Sequence, residues 1–226
     1  MNVEILYPSA YAQANVTLGP DESVRAEAGA MVMMDADVQI KTEARGGLLK
    51  SLSRSVLGQE SFFVNTFVAG PNGSSMAVAP SLPGDVIVMQ LDRQDLIVQS
   101  GSYLAGAATI EVETKWGGAR SFFGGEGLFM LRCSGSGPLI ISSYGSIHRM
   151  TIPAGQQLVV DTGHIVAFDS TMTFNVQKAG SWKSTVFGGE GFVCKFTGPG
   201  ELYTQTRSPA AFLGWLIPQL PRDSNG

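Results

Sequence analysis

Two glutamates share one glycine frame: Glu126 in Phe123-Gly124-Gly125-Glu126-Gly127 and Glu190 in Phe187-Gly188-Gly189-Glu190-Gly191. A weaker copy, Leu57-Gly58-Gln59-Glu60-Ser61, lies upstream. Glycine on both sides of a carboxylate permits tight turns and close backbone approach. Such a carboxylate can accept hydrogen bonds from neighbouring backbone N–H groups and pin a loop between strands. Arg54, Arg120 and Lys183 each precede one of the three acids by a similar short interval. Repetition therefore favours a structural ion pair or turn clamp at Glu60, Glu126 and Glu190. Gathered in space, the same three acids would form an acidic cluster able to bind a cation. A hard cation asks for further oxygen ligands, and no Asp-rich loop supplies them.

Other chemistry finds little support. His148 and His164 stand in no metal-ligand spacing, and no two histidines lie one residue apart as in metal-dependent cupins. Ser146 beside His148 is a formal nucleophile–base pair, a pairing common by chance. The glycine-rich stretches are followed by no Gly-Lys-Ser/Thr and open no helix, so no phosphate loop is present. The residues ask for neither catalysis nor a cofactor, and the expectation is a non-enzyme.

The acids recur about 65 residues apart, the signature of an internal repeat. Strand-like segments surround each. Val24–Ala28 and Val38–Thr42 alternate in the first copy, the latter as a half-buried strand should. Ile110–Trp116 alternates in the second copy and Met172–Lys178 in the third. Leu128–Cys133 and Leu139–Ile141 read as separate strands joined by a Gly135-Ser136-Gly137-Pro138 turn. Gly70-Pro71-Asn72-Gly73, Leu82-Pro83-Gly84-Asp85, Ile152-Pro153-Ala154-Gly155 and Gly198-Pro199-Gly200 read as further turns. Gly46–Arg54 reads as one or two helical turns. Short strands punctuated this way spell an all-β sandwich or barrel. One domain is expected over 1–226, with repeats near 24–91, 96–160 and 159–208 in a pseudo-threefold arrangement. A single three-strand unit cannot bury its own face, so the copies must share a core.

The chain of 226 residues is 44% hydrophobic and 15% charged, with a net charge of −4. So few charges leave weakly polar surface that oligomerisation would cover, and the acidic balance argues against nucleic acid. Cys133 and Cys194 sit in apolar runs, as buried reduced thiols of an intracellular protein would. No signal peptide or presequence opens the chain, and no apolar run approaches the ~20 residues of a membrane-spanning helix. A cytoplasmic protein is expected. The tail 209–226 starts with an apolar stretch, Pro209–Pro218, bounded by proline. It reads as a helix or turn packing on the body or a neighbouring subunit, with a peripheral membrane or partner contact through Phe212 and Trp215 as the alternative.

The paired Phe-Gly-Gly-Glu-Gly stretches, the Gly-x-Gly or Gly-Pro-Gly turns after them, and the tail with Phe212, Trp215 and Pro218 resemble the Altered Inheritance of Mitochondria family. The resemblance runs from about Val3 to Ile217, and the first copy departs from the motif at Gln59 and Ser61. It implies an all-β TRAP-like fold built from internal repeats and assembled as a homotrimer, in a prokaryotic-type member of unassigned activity. The resulting expectation is a β scaffold that acts through its surface. A small-ligand or cation-binding module, using pockets between repeats near Glu126 and Glu190, is the alternative.

Overall fold

Alternation in Gln13–Leu18 lays the first layer. In the computed structural model, which describes residues 1–41, 64–113, 129–178 and 192–221, this strand (β2) buries Ala14, Val16 and Leu18 and exposes Thr17. It pairs with β1 (Asn2–Leu6) and β7 (Ser74–Val78), and β4 (Met31–Met34) closes a four-stranded sheet ordered β1-β2-β7-β4. The inner face of that sheet packs against Val24 and Ala26 of β3 (Ser23–Glu27) and Phe67 of β6 (Val64–Val68). The two layers make a β-sandwich, as alternating antiparallel strands require to bury their apolar face.

The second sheet is larger. It runs in the order β13 (Ile147–Ile152), β18 (Gly200–Gln205), β15 (Ile165–Asp169), β9 (Leu96–Gln99), β12 (Met130–Ser142), β10 (Tyr103–Ala107), β3, β6 and β5 (Gln39–Lys41). Two further strands, β8 (Val86–Asp92) and β11 (Ile110–Glu113), also pair with β12. A third sheet joins β14 (Gln157–Asp161), β17 (Phe192–Thr197) and β16 (Thr173–Lys178). The protein is all-β, as expected, apart from 3-10 turns and one short helix among the described residues.

The centre of the large sheet departs from the sequence expectation. Gly135-Ser136-Gly137-Pro138 is no turn between two strands: β12 runs unbroken through it for 13 residues. Its first half pairs with β9, from Met130↔Gln99 to Cys133↔Leu96, and its second half with β10 and β8. The glycines bend the strand between these partners, with Gly135 at φ +123° and Gly137 at φ +137°. A Cβ on Gly135 would lie 2.3 Å from the Thr109 carbonyl oxygen, so only glycine admits the crossing of β11. Thr109 Oγ1 donates to the Ser136 carbonyl at 2.6 Å and fixes the bend from the other side.

The interior holds three apolar clusters, and alternate residues of β12 face different ones. One lies between the two large layers, around Val16, Phe67 and Leu104. A second gathers Tyr103, Leu131, Leu139 and Val166. The third holds Phe168, which meets Phe174 and Phe196 edge-on at 5.0 and 4.9 Å. Such aromatic contacts add to the area each ring buries. Cys133 and Cys194 are buried free thiols in these clusters, and burial pushes both up to about 12.

One alternating segment fails its pattern. Val38 is buried, but all of β5 that follows is exposed, Ile40 included, and this edge strand pairs only with β6. The turn at 70–73 forms as expected, with Gly73 N–H donating to the Gly70 carbonyl at 3.1 Å. The expected helical turns at 46–54 lie outside the described residues. So do Glu60, Glu126 and Glu190, on which the threefold repeat was anchored.

Candidate functional site

An exposed apolar patch lies at residues 209–220. Ser208 caps a helix, α1 (Pro209–Leu216), its Oγ accepting from Ala211 N–H at 3.4 Å, and Pro209 occupies the first helical position. Serine followed by proline is the residue order that starts a helix, since proline lacks an N–H that would go unpaired there. None of the residues in α1 is buried. Phe212 is half-buried against Tyr144, ring centroids 6.0 Å apart at 69°, and Trp215 tilts over Phe212 at 6.2 Å. Beyond these rings the surface is open: Trp215 is 64% and Ile217 60% exposed, and Leu213 and Leu220 join them. No acid stands in the first turn of α1 and no base in its last, so the patch is uncharged along its length.

Gln205, at the end of β18, builds the platform beneath the helix. Its side chain is buried, accepting from Tyr144 N–H at 2.8 Å and donating to the Gly163 carbonyl at 2.9 Å. Gly163 lies in a 3-10 turn (Thr162–His164) capped by Asp161, whose Oδ1 accepts from Gly163 N–H at 2.8 Å. A Cβ at Gly163 would meet Ser208 Oγ at 2.6 Å, so the absent side chain lets the helix cap seat there. His164 Nδ1 lies 2.8 Å from the Gln205 carbonyl oxygen. Strand end, 3-10 turn and Tyr144 loop are thus locked together by one buried amide.

The Tyr144 loop leads on to a second surface. Gly145 N–H donates to the Pro83 carbonyl at 3.0 Å, and Ser146 Oγ donates to the Ser9 carbonyl at 3.2 Å. Ser9 N–H in turn donates to Asp85 Oδ1 at 2.9 Å. Tyr7 and Ser9 both hold positive φ, 52° and 83°, so the β1–β2 loop is fixed in a costly backbone conformation. That loop holds Tyr7 and Tyr11 out in solvent. Tyr11 borders a cleft of about 250 Å³ lined also by Pro80, Leu82 and Pro83. Platform, loop and cleft are contiguous through these bonds.

Charged groups cluster elsewhere, on the outer face of β13 and β18. Arg149 pairs with Glu201, which also accepts from Thr151 Oγ1 at 3.0 Å and Tyr203 Oη at 3.1 Å. Arg149 holds the Glu201 carboxyl below its ordinary range, while burial raises that of the neighbouring Asp169. Among the described residues no group of three or more His, Cys, Asp or Glu could hold a metal ion.

The structure places the sequence candidates unevenly. Phe212 and Trp215 come together in one aromatic stack on Tyr144. His148 is exposed on β13, His164 is in the 3-10 turn, and the Ser146 hydroxyl is turned to Ser9. Gln205, Tyr144 and Tyr11 were not singled out in the sequence. A glutamine closing an alternating strand gives no sign that both ends of its amide are spoken for. Among the described residues, no helix is long and apolar enough to cross a membrane.

Residues 3–207 match the family described as Mitochondrial biogenesis AIM24. An uncharacterized protein of Streptococcus pyogenes serotype M6 is 29% identical over 211 residues, covering 90% of this chain and 84% of that one. The crystal structure of a Streptococcus pyogenes protein superposes with a TM-score of 0.82 at 25% identity, covering 97% of this chain and 99% of that chain.

Proposed function

This chain belongs to the Mitochondrial biogenesis AIM24 family, and from that premise we propose that it is a non-enzymatic interaction protein, an oligomeric β scaffold that assembles through its C-terminal helix. The observation that carries the reading is α1 itself: eight residues, none buried, whose apolar side chains stand in solvent around Trp215. A contiguous exposed apolar patch rimmed by polar residues marks a surface of contact. Tryptophan and tyrosine are the residues most often found at the energetic centre of such contacts. The rigid platform under Phe212 supports this role, since a preordered surface loses less entropy on association.

Replacing Leu213 and Trp215 together by serine tests the assembly. Both side chains are exposed, so the fold should persist, and sedimentation should report a lower mass than for the unaltered protein. An unchanged mass would remove the helix from the assembly.

A further inference from the structure

We propose that β4 is a second contact surface, at which two copies of this chain pair edge to edge about a twofold axis. The strand carries Met31, Val32, Met33 and Met34, with no charged or polar side chain. Its inner neighbour is β7, and among the described residues no strand pairs with its outer edge. Val32 is 52% and Met33 56% exposed, and Met31 is exposed as well. The register shift between Met31 and Met33 makes Val32 a bulge that turns one more apolar side chain outward.

The other edges of the molecule are defended. Proteins keep strand edges from pairing by placing charges on them. Here β1, β5, β8, β11 and β13 expose Glu4, Lys41, Asp92, Glu113 and Arg149 in turn, and the outer strands of the three-stranded sheet expose polar side chains. Among the described edge strands, only β4 exposes neither a charged nor a polar side chain.

The same comparison selects the occupant. A twofold axis through an edge sets a strand antiparallel to its own copy. Self-pairing at β1 about its central residue would set the exposed Glu4 opposite Glu4, a like-charge opposition that costs stability. Self-pairing at β4 opposes no charges, joins two four-stranded sheets into one, and covers methionine and valine with methionine and valine. Methionine adapts to irregular partner surfaces, which suits a strand carrying a bulge.

Cysteine scanning tests the pairing directly. Opposed residues of an antiparallel pair have Cα atoms about 4.5–5.5 Å apart, within disulfide reach. Val32→Cys and Met33→Cys, oxidised mildly each alone and as an equimolar mixture, are expected to give a covalent dimer in one of the three samples, according to whether the axis passes at Val32, at Met33 or between them. Val159→Cys, similarly exposed on β14, is expected to give none, and native Cys133 and Cys194 are buried and stay silent. Val32→Lys with Met33→Lys is expected to reduce the sedimentation mass about twofold, with the fold checked by circular dichroism. Cross-linking is expected to survive the Leu213→Ser and Trp215→Ser background, which separates this contact from that of α1. Absence of the covalent dimer in all three samples, or an unchanged mass in the lysine variant, overturns the proposal.

Discussion

Replacing Gln205 by leucine should remove the lock under the C-terminal helix at nearly constant volume. The amide satisfies two backbone groups, the Tyr144 N–H at 2.8 Å and the Gly163 carbonyl at 2.9 Å. Leaving a buried polar group unpaired costs about 1–3 kcal/mol. Gly163 is buried, but Tyr144 is half-buried and water can reach part of its environment, so the two losses should not both take the upper value. A destabilisation of about 2–4 kcal/mol follows. For a chain of this size that corresponds to a fall in Tm of roughly 5–15 °C. Urea unfolding at one fixed protomer concentration measures it, because association makes stability depend on concentration. Thr204→Ala on the same strand, whose hydroxyl makes only a long 3.5 Å bond to the His148 carbonyl, is the control, with an expected change under about 0.5 kcal/mol. If Gln205→Leu costs no more than the control, the buried amide is not what fixes the platform.

Gly135→Ala should destabilise by more than about 2 kcal/mol, because φ is +123° and the new Cβ would meet a backbone carbonyl that cannot swing away; near-normal chemical denaturation would refute the bend. Cys133 and Cys194, with thiols near 12, should resist a thiol reagent at pH 8 and react only after unfolding, so rapid labelling of the native protein would contradict their burial. Burial raises the Glu27 carboxyl from its ordinary 4.5 to about 7, so the folded protein binds that proton more tightly than the unfolded chain. The resulting stabilisation is complete below about pH 4.5 and is lost as pH rises through 7. Glu27→Gln should therefore be less sensitive than the unaltered protein to a shift from pH 5 to pH 8, and identical slopes in denaturation would place the carboxyl in water.

The sequence was most legible where one face of a strand meets the core and the other meets water. Ser23–Glu27 and Thr173–Lys178 alternate because they do this, and the tail helix was legible as the apolar stretch Pro209–Pro218 bounded by proline, though not its Ser208 cap. Strands buried on both faces carry no alternation. Tyr103–Ala107 has no exposed position, and its alanines and glycine read as weak strand formers. There tertiary burial sets the conformation. The bend in β12 was misread for a related reason: Gly-Ser-Gly-Pro has turn chemistry, but the same glycines can admit a crossing carbonyl. Phe212 and Trp215 were visible as an apolar cluster, whereas Gln205 and Tyr144 became visible only through partners some 40 to 60 positions away.

The long bent strand also constrains how the chain can be made. On the ribosome, β8, β9, β10 and β11 emerge before β12, yet β12 is the strand all four pair with. β9 and β11 lack their partner until Gly135 has left the exit tunnel and β8 and β10 until Ser142 has, and β9 waits longer still for β15. Such non-local pairing makes folding slow and leaves unfinished edges accessible to other nascent chains. A translation pause placed shortly after β12 would ease that hazard, and one placed before it would prolong it.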